Sequence, residues 1–297
     1  MKTYSYYPGC SQLSSAKEYG DSAVRVAGAL GIRLVALEDW NCCGASSAHM
    51  TNHLLSVALP ARNLAKAREA GGDLVVVCAA CYHNLKSAQR EILEDGVLAG
   101  RVERIIGCDP RFRGRVVHLL DLICEKVVLD ALRERVVAPL GGLKAVSYYG
   151  CLMARPRGIM EGDNPDDPRR MDELLAALGV EVRPWSYKTD CCGGSLSLTR
   201  TDVVVKLVNR LFEAAEEAGG ESIVMACPMC LANLEMRQRE GKLRFHHRHD
   251  PPVFFFSKLL GLAMGMEDAG GWLARHLIDP RLLLRRASVY TRGCTRG

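Results

Sequence analysis

The sequence predicts an α/β protein built as two duplicated open-sheet domains related by a pseudo-twofold axis. Three observations carry this. Strand-like and helix-like segments alternate along the chain, the pattern of parallel sheets with helical crossovers. A five-cysteine pattern occurs twice: Cys10, Cys42, Cys43, Cys78 and Cys81, then Cys151, Cys191, Cys192, Cys227 and Cys230. The step from Cys43 to Cys78 is 35 residues, as is the step from Cys192 to Cys227. Finally, residues 137–143, with Pro139, Gly141 and Gly142, punctuate the chain, and the order of elements restarts after them. The domains are accordingly set at residues 1–140 and 141–297.

In the first half, residues 3–7 read as a strand ending at Pro8-Gly9-Cys10, and residues 15–30 as a helix stopped by Gly31. A strand over 32–37 delivers the chain to Trp40 and Cys42-Cys43-Gly44. Residues 46–70 read as one long helix, kinked at Pro60 and closed by Gly71-Gly72. The apolar run 73–77 suits a strand buried on both faces, and Cys78 follows it. A helix over 82–93, a weaker strand over 102–106 and a helix over 118–132 complete this half.

The second half repeats the order. A strand over 144–149 precedes Gly150-Cys151, and a helix over 168–178 is stopped by Gly179. A strand over 180–184 leads to the second Cys-Cys-Gly, and a helix over 197–218 is closed by Gly219-Gly220. A strand over 222–226 ends at Cys227-Pro228-Met229-Cys230, and a helix over 231–240 follows. The halves register at 149 residues for the paired cysteines and the C-x-x-C groups, but at 141 for Cys10 and Cys151. The eight extra residues fall in 161–170, whose Asp, Pro and Gly content reads as an exposed loop.

Composition narrows the class. Hydrophobic residues are 48% and charged residues 25%, normal for a globular chain of 297 residues. The net charge of +5 is mild and its basic residues are scattered, which gives no footprint for nucleic acid. The apolar stretch 253–266, interrupted by Lys258, is short of the roughly 20 residues that span a bilayer. It suits a buried helix or a docking segment for a partner. With no transmembrane segment and no signal peptide in view, a cytoplasmic location is expected. Thirteen cysteines in a reducing compartment point to metal binding or redox chemistry rather than disulfides.

Each cysteine group follows a predicted strand, and ligands of open parallel sheets collect beyond the carboxyl ends of strands. The C-x-x-C groups also open helices, whose unpaired N–H groups and dipole stabilise thiolate. Pro228 sits at a first helical turn, where its missing N–H costs nothing. Gly44, Gly193 and Gly194 allow close backbone approach. Structural zinc takes four ligands, and so does a cubane [4Fe–4S] cluster. Five thiolates per half exceed both, and soft thiolates favour iron–sulfur over hard cations. Adjacent cysteines suit neighbouring irons of an opened or fused cluster. Zinc held in one half is an alternative that the residues leave open.

The whole pattern resembles the duplicated CCG domain of the catalytic B subunit of heterodisulfide reductases and their relatives. The tail motifs Phe255-Phe256-Ser257-Lys258-Leu259-Leu260-Gly261 and His276-Leu277-Ile278-Asp279-Pro280-Arg281 extend the resemblance over nearly the whole chain. It implies that the ten motif cysteines ligate two non-cubane [4Fe–4S] clusters. It also implies reduction, or reversible formation, of a small-molecule or carrier-bound disulfide. Electrons would come from a ferredoxin-like C subunit and a flavoprotein A subunit, since no G-x-G-x-x-G follows a strand here. Two other activities fit the same relatives. One is an electron-transfer module linking a dehydrogenase or flavoprotein to a quinone pool. The other is a sulfur-oxidation variant acting on a protein-bound lipoyl or persulfide carrier. The chain departs from the methanogenic pattern at Leu152 and Leu231, beside Cys151 and Cys230, where a polar residue, often His, is expected. Both positions are expected to flank the cavity.

Other residues have two readings each. Tyr6, Tyr7, Trp40, Tyr148, Tyr149, Trp185 and Tyr187 either dry the site or pack at strand ends. His83, Asn84 and Asn233 either meet cluster sulfur or substrate, or cap and pack a first turn. Arg155, Arg157 and Arg200 either meet an anionic substrate or form a solvated rim. The tract His246-His247-Arg248-His249-Asp250 reads as a solvated loop, and Cys108, Cys124 and Cys294 as incidental thiols.

Overall fold

The computed structural model describes residues 1–45, 48–245 and 250–287. In the first half β1 (Lys2–Tyr7), β2 (Ile32–Ala36), β3 (Leu74–Val76) and β4 (Val116–His118) form a parallel sheet in the order β2-β1-β3-β4. In the second, β5 (Lys144–Tyr148), β6 (Glu181–Val182), β7 (Ser222–Met225) and β8 (Val253–Phe255) repeat it as β6-β5-β7-β8. The helices that bear on the site are α1 (Lys17–Ala29), α2 (His53–Ala70), α3 (Ala79–Glu94), α4 (Gly96–Ile106), α5 (Leu119–Ile123), α6 (Lys126–Arg135), α7 (Arg170–Ala177), α8 (Thr201–Glu217), α9 (Pro228–Phe245) and α10 (Phe256–Ala263).

The sheet order fixes where a ligand can sit. From β1 the chain pairs outward to β2, then returns to pair β3 on the other side. The switch of direction therefore falls between β1 and β3, and between β5 and β7 in the second half. A crevice opens at such a point, beyond the carboxyl ends of the strands. All of Leu74, Val75 and Val76 in β3, and Ile223, Val224 and Met225 in β7, are fully buried, as continuous apolar runs in parallel sheets should be.

Four expectations are corrected. Residues 102–106 are not a strand but the end of α4, which Asp95 caps by accepting from Val97 N and Leu98 N and which Gly107 ends in the left-handed region. The region 118–132 is not one helix. It supplies β4 and then breaks between α5 and α6 at Cys124–Glu125. The region 253–266 likewise supplies β8 before α10, and residues 253–261 are buried. The long helix of the first half is interrupted at Asn52, not at Pro60. Asn52 is extended (φ −160°), and its side chain accepts from Leu55 N to start α2, while Pro60 is carried inside that helix. Residues 46 and 47 of that expected helix lie outside the described residues, as do 246–249 of the histidine tract and Cys294.

The halves pack reciprocally. Helix α1 of the first half lies on α10 of the second. There Tyr19 stacks on Phe255 with centroids 3.7 Å apart, and the Ser22 and Ser257 hydroxyls meet at 2.7 Å. In the mirrored contact α5 of the first half meets α7 of the second, where Arg170 pairs with Asp121 at 2.8 Å and the Cys124 thiol donates to Arg170 O. One continuous core runs through both halves. Lys258 of α10 is buried in this interface, 3.5 Å from Glu18 Oε1 of α1 and 2.9 Å from His276 Nε2. His276 in turn meets Glu235 at 2.8 Å.

Candidate functional site

Each half presents its five thiols from the same three strand ends. Cys10 follows β1, Cys42 and Cys43 follow β2, and Cys78 follows β3 as the N-cap of α3, placing Cys81 in its first turn. Cys151 follows β5, Cys191 and Cys192 follow β6, and Cys227 follows β7 just before Pro228 opens α9. The backbone then matches position for position. Gly9 and Gly150 have φ of +71° and +67°, and a Cβ on either would come within 3.3 Å of the Cys81 or Cys230 sulfur. Glycine at these two positions is what lets the strand end approach the helix thiol.

The paired-cysteine loops are held by equivalent bonds. Gly44 N donates to Cys42 Sγ at 3.4 Å, and Gly193 N to Cys191 Sγ at 3.3 Å. Tyr7 donates to Asn41 O at 2.8 Å and Tyr148 to Asp190 O at 2.7 Å. Asn84 Nδ2 donates to Cys43 O at 3.0 Å and Asn233 Nδ2 to Cys192 O at 3.1 Å, with Cys192 Sγ at 3.7 Å. The two asparagines thus tie each loop to its C-x-x-C helix. Burial, reinforced by nearby thiols, pushes the Tyr7 and Tyr148 hydroxyls up, so both remain donors. Trp40 packs edge-on to Tyr7, and Trp185 donates to Ser147 O.

The thiols are linked across the halves. Cys42 perturbs its neighbour Cys43, Cys43 lies 3.3 Å from Cys81, and Cys81 and Cys78 perturb one another. Cys78 lies near enough to Cys227 of the other half for the two thiols to perturb one another, as does Cys227 to Cys230, and Cys230 lies 3.4 Å from Cys192. The nearby Cys151 thiol and the Gly193 and Gly194 N–H groups lower Cys191 to about 6. All twelve cysteines among the described residues are free. Sulfurs more than 3 Å apart are in contact but far from the roughly 2.05 Å of a disulfide. Among the described residues no group of three or more His, Cys, Asp or Glu is gathered as ligands around a single metal ion.

A cavity of about 280 Å³ opens between the halves. Cys151, Cys191, Cys192, Cys227 and Cys230 line it from the second half, and His49, Ala79, His83 and Asn84 from the first. Much of the remaining wall is apolar: Ala45, Tyr149, Leu152 and Met229. An outer vestibule shares His83, Cys151 and Leu152 with it and adds Arg155 and Arg157. Arg157 pairs there with Asp166, whereas Arg200 pairs with Asp202 away from the cavity. Leu152 flanks the cavity as expected. Leu231 does not, since it points into the core. Cys108 and Cys124 lie outside the cavity and half-buried. His49 and Met229 carried no motif of their own, because only the meeting of two halves brings them to this wall.

The fold and this wall define a class: a duplicated parallel α/β protein that presents cysteines from three strand ends at each switch point. The chain belongs to the CCG cysteine-rich domain family, whose model matches residues 4–86 and 145–235. It is 28% identical to the 8-methylmenaquinol:fumarate reductase membrane anchor subunit of Wolinella succinogenes, over 94% of this chain and 98% of that one. It is 28% identical to a protein of Archaeoglobus profundus that is like the B subunit of heterodisulfide reductase, over 90% of this chain and 92% of that one. A third relative is the B subunit of the ferredoxin:CoB-CoM heterodisulfide reductase of Methanosarcina mazei, 27% identical over 70% and 71% of the two chains. The solved structure of a hypothetical protein from Helicobacter pylori superposes with a TM-score of 0.73 at 13% identity, covering 93% of this chain and 52% of that one. That likeness shows the fold alone, and this chain spans about half of that protein. Among the described residues no helix is long and apolar enough to cross a membrane.

Proposed function

We propose that the chain is the iron–sulfur subunit of a heterodisulfide reductase-like complex, with a disulfide broken or formed in the cavity between its halves. The observation that carries this reading is the series of thiols from Cys42 to Cys192 that passes from one half to the other at Cys78 and Cys227, with a cavity at its second-half end. Cys10, Cys42, Cys43, Cys78 and Cys81 would hold one non-cubane [4Fe–4S] cluster, and Cys151, Cys191, Cys192, Cys227 and Cys230 the other. The donors suit such a group. They are soft thiols, served by backbone N–H at Gly44 and Gly193, and the Gly9 and Gly150 cradles would be filled by a Cβ.

When bound, the clusters supply electrons one at a time. A disulfide takes up two electrons and two protons to give two thiols; only the second-half cysteines line the cavity, and the first-half site, next to it through Cys78 and Cys227, would supply the second electron. The protein's own part is to orient and to exclude water. Tyr149, Leu152 and Met229 shield the sulfurs, and Asn84 and Asn233 fix the paired-cysteine loops. Partner subunits, a ferredoxin-like C subunit and a flavoprotein A subunit, would deliver the electrons. A cytoplasmic location and a division at residues 140 and 141 belong to the same reading.

A second reading is favoured by the apolar cavity wall and by the fumarate reductase relative: electron transfer between a partner and a quinone. Anaerobic assay of the complex separates the two. With reduced viologen, the first reading expects thiol release from a small disulfide or from lipoamide. Iron-replete complex that releases no thiol but reduces a menaquinone analogue would overturn it.

A further inference from the structure

The second half carries a segment that the first lacks, and it belongs to the half whose cysteines line the cavity. After Cys10 a single turn at Ser11–Leu13 leads into α1. After Cys151 one turn of helix reaches Ala154, and a strap over residues 155–169 then runs to α7, which absorbs the eight extra residues of this half. Both ends of the strap are fixed. Met153 and Ala154 are buried at one end. At the other, Asp163 accepts from Arg169 N and Arg170 N at 2.6 and 2.7 Å. Gly162 lies so close to Asp121 that a Cβ there would meet its carboxylate at 2.5 Å.

Between these anchors the strap crosses to the first half and rests on α3. Lys86 and Arg90 stand one turn apart on one face of that helix. Lys86 Nζ meets Glu161 Oε2 at 2.9 Å, and Arg90 Nη1 donates to Gly158 O at 2.5 Å. From Arg155 to Glu161 only Met160 is buried. Two surface bonds and one apolar foot therefore hold the segment. Bonds to exposed charges are weak, and stretches with few buried contacts open first.

The same segment walls the way in. Arg155, Pro156 and Arg157 line the vestibule of about 450 Å³, which shares His83, Cys151 and Leu152 with the cavity of about 280 Å³. His83 belongs to α3, so strap and helix form two sides of one entrance. Spaces of this size suit a small molecule. A disulfide carried on a larger body reaches Cys151 only when the strap lifts.

We propose that residues 155–161 are a lid on the cavity, latched to α3 by the Lys86–Glu161 pair and the Arg90–Gly158 bond, and that this latch sets how bulky a disulfide reaches Cys151. The inference rests on the reading of the cavity as a disulfide site.

The test uses the full chain in its complex, isolated anaerobically. Glu161→Lys sets two cations against each other at the latch. The double variant Lys86→Glu with Glu161→Lys restores the pair with its signs reversed. Hydrogen–deuterium exchange over residues 155–161, read by mass spectrometry, reports the latch. Thiol release with reduced viologen as the electron source reports access, from bis(2-hydroxyethyl) disulfide and from a disulfide-linked pair of short peptides. Glu161→Lys should speed exchange in the segment and raise kcat/KM for the peptide disulfide relative to the small one, each by about two- to five-fold, the worth of one exposed ion pair. The double variant should return both to parental values. Unchanged exchange in Glu161→Lys, a size ratio that does not move, or a double variant that behaves like the single one would overturn the proposal. If Glu161→Lys does not assemble, Glu161→Gln, which removes the pair without adding a charge, is read by the same criteria. A parental complex that releases no thiol defeats the disulfide reading instead, and the lid is then judged by the same size ratio with menaquinone analogues of short and long side chain.

Discussion

Replacing Asn233 by alanine removes a side chain that is 3% exposed and bonded at both ends. Its Nδ2 donates to Cys192 O at 3.1 Å, and its Oδ1 accepts from the Ser197 hydroxyl. The variant leaves the buried Cys192 carbonyl and the half-buried Ser197 hydroxyl without these partners. Each such group costs about 1–3 kcal/mol, so a total near ~3 kcal/mol is expected. Asn84 is the control. It makes the same bond to Cys43 O at 3.0 Å, but it lines the cavity, where water can replace it. Asn84→Ala should therefore cost about 1 kcal/mol. Urea denaturation of the isolated chain, followed by far-ultraviolet circular dichroism under anaerobic conditions, measures both. A loss below about 0.5 kcal/mol for Asn233→Ala, or a larger loss for Asn84→Ala, would refute the claim that these asparagines hold the loops in unequal environments.

Two further outcomes follow from local geometry. Gly44 has φ +75°, and an added Cβ would lie 2.8 Å from Ala48 Cβ and 2.9 Å from Leu59 Cδ1. Left-handed strain of about 1–2 kcal/mol and overpacking of about 1–3 kcal/mol should make Gly44→Ala lose about 3 kcal/mol. Gly193→Ala meets Val204 Cγ2 and Leu207 Cδ1 at 3.1 and 3.2 Å and backbone no closer than 3.5 Å, so it should lose less, which thermal melts of the two variants will rank. Burial lowers Lys258 to about 8 from 10.5, against the pull of Glu18 and Glu235. The unfolded chain then holds that proton over a pH range where the folded chain has released it. The buried ammonium's penalty is full below pH 8 and fades as pH rises to 10.5, so this group makes stability climb across that window, by about 3 kcal/mol at most. Lys258→Met should lack the climb in urea midpoints measured from pH 7.5 to 10.5, and parallel curves would contradict it.

Much of the scaffold was legible because its signals are local. Buried parallel strands such as β3 and β7 are unbroken apolar runs, and glycines at 31, 71, 179 and 219 stop the helices that the periodicity traces. The fourth strand of each sheet was not legible. Val116–His118 and Val253–Phe255 are three residues long and run straight into helices, so their apolar character merged with the helix beyond. Residues 102–106 misled because Val102, Ile105 and Ile106 are β-branched, while the deciding signals, Asp95 and Gly107, stand at the helix ends. Ten cysteines at strand ends could be placed half by half. Their meeting at Cys78 and Cys227 could not, because it depends on contacts such as Tyr19 on Phe255, far apart in the chain.

Metal analysis of anaerobically isolated protein bears most directly on the two five-thiolate sites. Two four-iron centres require about eight irons and a matching count of labile sulfide per chain. Cys192→Ser should lose the irons of the second site, keep those of the first, and so show about half of the parental iron. Zinc in place of iron, an iron content near zero in the parent, or an unchanged count and spectrum in Cys192→Ser would contradict the account.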